Sequence, residues 1–417
     1  MGLFDELQWR GLVHDFTDPA LPGLLDQGGL VAYIGFDPTA DSLHIGNLLQ
    51  LCNLRRLQEG GHQVIGLAGG ATGMIGDPGG KSEERNLLDS DTLATNLDAI
   101  ERQIRRFLLP GAEFVDNASW TRPMSVLDFL RDVGKHFTIN QMIGKEMVRN
   151  RIQNPEEAIS YTEFSYMLLQ AMDFLQLFDT HGCRLQMGAS DQWGNITMGV
   201  ELIRKARGAT AYGLTSPLVL KADGKKMGKS ESGTIWLARD KTSPYQLFQF
   251  LVRSDDRVVG QYLRYFTWLP HDEIEALDEA TSTRPERREA QRALAFEVTA
   301  FVHGREEAER AVHASTVLFS EEIAGLDEQT LTDVFAEAPS TVLPREPVAL
   351  VDILASTGLA KSKSDARRHI EAGAVYVNNR KVSDSAAKLD PSADVLHGRW
   401  LVLRRGKSSQ HLLRFED

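Results

Sequence analysis

The chain has 417 residues, 42% of them hydrophobic and 25% charged, an ordinary globular composition on a length that calls for two or three domains. No apolar run approaches the roughly 18 residues of a membrane span, and the first residues, MGLFDELQWRGLVHDF, carry acids instead of a basic-then-apolar leader. Cys52 and Cys183 form no CxxC pair, so neither a disulfide framework nor a cysteine zinc site is expected and a reducing cytoplasm fits, while a net charge of -12 argues against indiscriminate nucleic-acid binding.

The first half alternates strand and helix signals. Leu30 to Phe36 (LVAYIGF) is a short apolar and aromatic run suited to a buried parallel strand. The turn-rich DPTADSL follows, and from His44 to Leu57 apolar residues recur at helical spacing. HQVIGLAGG is a second strand running into glycines, Thr92 to Leu109 an amphipathic helix, and Ala112 to Asp116 a short strand. This rhythm predicts a doubly wound parallel sheet with ligands at the carboxyl ends of its strands.

Ser160 to Phe178 reads as a helix that Ser160 and Glu163 open with a capping box. A strand into a loop (GCRLQMGASDQ), a helix Trp193 to Arg207 and a strand Thr215 to Leu220 come next. From Pro244, with Ser243 as N-cap, to about Phe319 the pattern is wholly helical, predicting a separate module. Gln329 to Pro347 holds three prolines and few periodic apolar positions, the signature of a linker, and Val348 to about Arg414 is a small α+β unit. From Pro347 onward 12 Lys and Arg stand against 8 Asp and Glu. A basic tail on an acidic body suits one localised anionic partner, although charge also fluctuates along chains without function.

Two constellations carry chemistry. In YIGFDPTADSLHIGN a strand ends and a helix begins at His44, where free N–H groups offer a seat for phosphate. Gly46 lets a flat base or ribose approach the backbone, and His44 and Asn47 are donors within reach of phosphate oxygens. Alone, that tetrapeptide fits a capping or core histidine equally well. In KKMGKS, Lys225, Lys226 and Lys229 follow an Ala-Asp-Gly turn, which suits a cationic clamp on a polyphosphate but also a solvated hairpin tip.

Together, HIGN and KMGKS in that order resemble the HIGH and KMSKS signatures of class I aminoacyl-tRNA synthetases. The resemblance to the bacterial tyrosyl-tRNA synthetases extends over nearly the whole chain, through GGATGMIGDPGGK, FLRDVGKHF, TEFSYMLLQAMDF, GASDQWGN and KADGKKMGKSESGTIWL. Two positions depart from that family: Asn47 stands where the tetrapeptide usually ends in His, and Ala189 where GASDQ usually has a second glycine. The resemblance implies a Rossmann-like catalytic domain (1–240), an all-helical anticodon-side domain (241–325), a linker (326–346) and an S4-like α+β RNA-binding domain (347–417).

It also implies roles. Tyr166, Gln170 and Asp173 lie at i, i+4 and i+7 on one helix face, by position either exposed surface or the wall of a polar pocket. By resemblance Tyr33 and Asp173 hydrogen-bond a substrate hydroxyl, and Asp77, Tyr166 and Gln170 hold its ammonium group. Gln192 lies close to the reacting carboxyl group. Thr39 and His44 meet the leaving pyrophosphate, with Asn47, Lys226, Lys229 and Ser230 completing the catalytic set. Gly35, Asp37, Gly46 and Asp191 line the ATP site, Asp191 at the ribose. Lys81 and Arg85 look like mobile cations near ATP or the tRNA acceptor end, against the plainer reading of a surface lysine in a glycine loop. In the tail, AKSKSDARRHIEAGAVYVNNRKV resembles the S4-type module. There Lys361, Lys363, Arg367, Arg368, Arg404, Arg405 and Lys407 are candidates for tRNA phosphates, or form a solvated helix face.

The implied activity is ATP-dependent loading of tyrosine onto tRNA(Tyr), with ATP as substrate, Mg²⁺ accompanying it, no tightly bound cofactor or dedicated metal site, a homodimer around Asp132 to Phe137, and no membrane or DNA partner. The rivals are a tryptophanyl-tRNA synthetase, a nucleotidyltransferase of the HIGH superfamily, and a synthetase-derived RNA-binding protein that no longer catalyses.

Overall fold

The computed structural model describes residues 1–77, 89–145, 148–149, 152, 159–230, 233–317, 321–336, 338–406 and 409–416, with only the backbone at 90, 229–230 and 321–322. They form two compact units, Met1–Thr242 with Arg253–Leu294, and Ser243–Val252 with Ala295–Asp417.

In the first unit the six strands of the main sheet are β1 (Asp15–Phe16), β2 (Val31–Phe36), β3 (Gln63–Ala68), β4 (Glu113–Asp116), β5 (Leu185–Ala189) and β6 (Tyr212–Ser216). They lie in the order β1-β6-β5-β2-β3-β4, with β1 antiparallel at the edge and the rest parallel. The chain builds β2, β3 and β4 outward to one side, then returns to add β5 and β6 on the other. The switch point lies between β2 and β5, where Ala32 pairs with Leu185 and Tyr33 with Gln186. Ligands of such sheets sit there, beyond the carboxyl ends of the strands. β2 and β3 are apolar nearly throughout because both faces are covered.

The helices that shape the site are α1 (Ile45–Glu59), α2 (Ser90–Phe107), α3 (Tyr161–His181) and α4 (Trp193–Arg207). Asp89 caps α2 by accepting from the backbone N–H of Asp91 and Thr92. Ser160 and Glu163 close the capping box on α3, and Gly182, at φ 63°, ends it as a left-handed cap. The strand expected at Thr215 to Leu220 is instead Tyr212–Ser216, because Pro217 has no N–H with which to continue a ladder.

Helices α5 (Asp256–Phe266) and α6 (His271–Thr283) group with the first unit, whereas the sequence pattern predicts a separate helical module from Pro244. The reason lies in two buried arginines far away in the sequence. Arg10 donates to the carbonyls of Thr267 (3.0 Å) and Leu269 (2.9 Å), and Arg56 to those of Tyr265 and Thr267, both at 2.9 Å. A helix leaves its last carbonyls without partners, and cations are favoured there.

In the second unit Ser243 caps the helix Pro244–Val252, its Oγ accepting from the Gln246 N–H at 3.2 Å. The stretch expected to be a linker is structured. It holds the helix Glu328–Val334 and the strand Ser340–Pro344, which pairs in parallel with Ser409–Glu416 at the edge of a five-stranded sheet. The prolines that suggested a linker flank or end an edge strand, where the missing N–H is tolerated. The expected short helix pair is present as Leu350–Ser356 and Lys363–Glu371. Among the described residues no helix is long and apolar enough to cross a membrane.

Candidate active site

A cavity of about 690 Å³ opens where β2 and β5 end. Its lining brings together Tyr33, Gly35, Asp37, Thr39, His44, Gly46, Asn47, Asp77, Tyr166, Gln170, Asp173, Asp191, Gln192 and Lys226, residues spread over most of the first 230 positions. Lys229 and Ser230 form a short strand against Gly233–Thr234, and their side chains lie outside the described residues, as do Lys81, Arg85 and Lys407.

The polar face of α3 is pocket wall, not surface: Tyr166 and Asp173 are only 4% and 2% exposed. Both carboxylate oxygens of Asp173 accept hydrogen bonds, from Asn117 Nδ2 at 2.9 Å and Trp120 Nε1 at 2.8 Å. Burial nevertheless outweighs those donors and pushes the Asp173 carboxyl up to about 7. Beside it the Tyr33 phenol is raised by burial and by the Asp173 charge, and its hydroxyl has no hydrogen-bond partner among the described residues. The buried amide oxygens of Gln50 and Gln186 are likewise unpartnered and line the same cavity. Buried polar groups are almost always satisfied, so three such atoms around one cavity mark a place built for a polar ligand.

A second network spans the cavity. Gln192 Nε2 donates to Asp77 Oδ2 at 2.5 Å, Gln170 Nε2 to Gln192 Oε1 at 3.2 Å, and Asn195 Nδ2 to Gln170 Oε1 at 3.1 Å. Tyr166 donates to Asp37 at 3.3 Å. The carboxylates of Asp77 and Asp37 are thus each held by a neighbouring polar side chain of the cavity lining.

His44 is the N-cap of α1. Its Nδ1 accepts from the Gly46 N–H at 3.0 Å, while Asn47 Oδ1 accepts from the His44 N–H at 3.2 Å. That geometry leaves Nε2 of a neutral imidazole as the donor. The amide at 47 therefore keeps the helix start closed with its oxygen and retains a donor nitrogen. The structure gives a reason for Gly46 beyond the one expected. A Cβ there would lie 2.8 Å from His44 Cε1 and 3.1 Å from the Met227 carbonyl, so the first signature and the lysine hairpin meet across the bare glycine. Ala189 lines the cavity.

The lysine segment is a hairpin, held by Met227 N–H to Val219 carbonyl at 2.8 Å and Lys221 N–H to Lys225 carbonyl at 2.7 Å. Lys225 points to the tip beside Asp223, whereas Lys226 Nζ reaches Asp191 at 2.9 Å. In the tail Lys361, Lys363, Arg367 and Arg368 are exposed on or beside one helix. Lys363 pairs with Asp352 at 2.9 Å and Arg368 with Asp365. Arg404 is placed otherwise than expected. It is 7% exposed, stacks 4.0 Å over the Tyr376 ring, and donates to Asn379 Oδ1 at 3.1 Å and the Gly406 carbonyl at 2.6 Å, so it serves the sheet. Arg405 is half-buried.

Sequence reasoning missed Asn117, Trp120, Asn195, Gln50 and Gln186. Asn117 directly follows β4, and the strand-end rule alone points to it.

Residues 26–320 match the family described as tRNA synthetases class I (W and Y), and residues 330–413 the tyrosine–tRNA ligase SYY-like C-terminal domain. The tyrosine–tRNA ligase of Roseiflexus castenholzii is 51% identical over 99% of both chains. That of Geobacillus kaustophilus is 52% identical over the whole of both. The chain belongs to the tyrosine–tRNA ligases. The family also accounts for the fold: a C-terminally truncated Aspergillus nidulans mitochondrial tyrosyl-tRNA synthetase superposes with a TM-score of 0.68 at 32% identity, over 76% of this chain and 94% of that one. The match to the ligase C-terminal domain begins at 330, inside the segment that its prolines suggested was a linker.

Proposed function

We propose that the protein activates L-tyrosine with ATP and transfers it to the 3′ end of tRNA(Tyr). The observation that carries this reading is the buried Tyr33 hydroxyl, partnerless among the described residues, beside Asp173, whose carboxyl is raised to about 7, in one cavity with His44 and Lys226. A phenol completes that site by donating to Asp173 and accepting from Tyr33. The ammonium group of the same substrate lies against Asp77, Tyr166 and Gln170.

One carboxylate oxygen of tyrosine attacks the α-phosphorus of ATP and the bond to the β-phosphate oxygen breaks, giving tyrosyl-adenylate and pyrophosphate. A terminal ribose hydroxyl of tRNA then attacks the carbonyl carbon and AMP leaves. No protein nucleophile is required; positioning and stabilisation of negative charge suffice. Thr39, the His44 Nε2–H, Asn47 and the lysines Lys226 and Lys229, with Ser230, face the departing pyrophosphate. Gly35, Asp37 and Gly46 flank the nucleotide, Asp191 takes the ribose, and Gln192 stands near the reacting carboxyl group. Mg²⁺ is expected to travel with the phosphates of ATP. Pyrophosphate exchange into ATP, run with tyrosine, tryptophan and phenylalanine, tests the reading, and exchange driven by tryptophan, or by none of the three, would overturn it.

We assign catalysis to the first unit and RNA binding to the second, with the S4-like part gripping phosphates through Lys361, Lys363, Arg367 and Arg368. Lys81, Arg85, Arg405 and Lys407 complete the proposed tRNA-binding set. Reversing Lys361, Lys363 and Arg367 to Glu is expected to leave exchange unchanged and to weaken tRNA charging. The salt slope of tRNA affinity should fall by about 0.7–0.9 for each phosphate no longer neutralised. Unaltered charging would remove the tail from the tRNA site. The assembly we propose is a cytoplasmic homodimer formed through the helix Val126–Asp132 and the turn to Phe137. Val126, Leu127 and Leu130 are 74%, 78% and 48% exposed there, apolar side chains that a second copy would cover. A monomer in sedimentation equilibrium would refute it.

A further inference from the structure

Helix α2 lines no part of the cavity through Asn96 or Gln103, yet it reaches the loop that carries Thr39 and His44 at both ends. Asn96 and Gln103 are seven residues apart, two turns of helix and therefore one face, separated by roughly 10 Å. Asn96, 5% exposed, donates from Nδ2 to the Pro38 carbonyl at 3.0 Å. Gln103 Oε1 accepts from the Leu43 N–H at 2.7 Å, and its Nε2 donates to Ser42 Oγ at 3.2 Å.

Ser42 is 3% exposed and its hydroxyl is fully used. It donates to the Leu43 carbonyl at 2.7 Å and accepts from Gln103 and from the Ala238 N–H at 3.1 Å. Ala238 belongs to the segment that follows the lysine hairpin. That segment is further tied to the same turn by Ile45 N–H to the Ile235 carbonyl and Leu237 N–H to the Leu43 carbonyl, both at 2.9 Å, and by Lys241 to Asp41 at 2.8 Å.

We propose that Gln103 and Ser42 are positioning residues that fix the distance between the phosphate-facing loop and the root of the lysine hairpin, with Asn96 pinning the far end of the loop. This rests on the reading of Thr39, His44 and the lysines given above. Neither amide touches a reacting group. Their effect runs through the register of the two signatures, both of which must close on one polyphosphate. A misplacement of about 1 Å in such a site is enough to cost up to about 10²-fold in rate. Among the described residues neither Gln103 nor Ser42 hydrogen-bonds Tyr33, Asn117 or Asp173, so tyrosine affinity is a readout separate from theirs.

The test measures kcat and KM for ATP in pyrophosphate exchange, together with the tyrosine dissociation constant without ATP. Gln103→Leu, which removes acceptor and donor at once, is expected to lower kcat at least about tenfold and to leave tyrosine affinity within about twofold. Gln103→Glu keeps the acceptor for the Leu43 N–H and loses only the donor to Ser42, so part of the rate is expected to return. In a His44→Ala background, Gln103→Leu is expected to add less than about threefold, because residues acting through one another are not additive. An unchanged kcat, an equal fall in tyrosine affinity, or full additivity with His44→Ala would each overturn the proposal. Should Gln103→Leu not fold, Ser42→Ala is read by the same criteria. If the unmodified enzyme shows no tyrosine-dependent exchange, the functional reading itself fails; an active parent with an unaffected variant discards only the brace.

Discussion

Asp173→Ala is expected to lower tyrosine-dependent pyrophosphate exchange by about 10² in kcat/KM while leaving the phenylalanine-dependent rate near its original value. A hydrogen bond to a buried charged acceptor contributes about 1.5–3 kcal/mol, and each 1.4 kcal/mol is about a factor of ten. Phenylalanine offers no hydroxyl and leaves the carboxylate unpartnered by substrate in the parent enzyme, so it loses little when the carboxylate goes. The pH dependence follows with a definite sign. Burial raises the Asp173 carboxyl to about 7, against about 3.9 in an unfolded chain. Between those values the folded protein holds a proton that the unfolded one has released, so this residue costs stability as pH rises through that window and nothing below it. A phenol donating to the carboxylate favours its ionised form. Tyrosine affinity should therefore climb as pH rises through 7 and level off above, and Asp173→Asn should flatten the curve. A tyrosine-to-phenylalanine ratio untouched by Asp173→Ala would sink the assignment.

Several locally patterned elements were legible in the sequence. The helix from Trp193 to Arg207 appears at the expected residues, and the capping box at Ser160 and the N-cap at Ser243 are where local chemistry puts them. The motif residues that line the cavity converge because strand ends at a switch point are close in space whatever their separation in sequence. Tertiary partners were not legible. Nothing near Gln103 announces that its amide holds a turn sixty residues earlier, and Arg10 and Arg56 look like surface arginines until Thr267 accepts from both. Arg404 shows the opposite failure: a basic residue in a basic tail reads as a phosphate ligand, but Tyr376 and Asn379 already hold its guanidinium. The strand Ser340–Pro344 was hidden by its prolines, which count against a central strand but not against an edge.

Lys226→Ala is expected to have the other large effect, a fall in kcat of roughly 10²–10³ with KM for ATP changed by no more than about threefold. Lys226 Nζ and Asp191 Oδ2 are 2.9 Å apart, with 58% and 30% of their side chains exposed. A pair so open to solvent is worth about 0–1 kcal/mol, so exchanging the carboxylate for a polyphosphate costs the lysine little. Its root does not move freely: Leu220 bridges Lys226, and Met227 is buried with its N–H on Val219. The ammonium group can therefore swing while the backbone keeps its distance from the His44 turn. Negative charge on the departing pyrophosphate grows only as the bond to the α-phosphate breaks. A cation placed there stabilises the transition state more than bound ATP, and the loss shows in kcat. Lys229→Ala should act in the same direction, and Asp191→Ala should instead raise KM for ATP, since a ribose hydrogen bond is equally strong before and during the reaction. An intact kcat with a raised KM in Lys226→Ala would show that the lysine only holds the nucleotide, and the lysine hairpin would have no part in the chemistry.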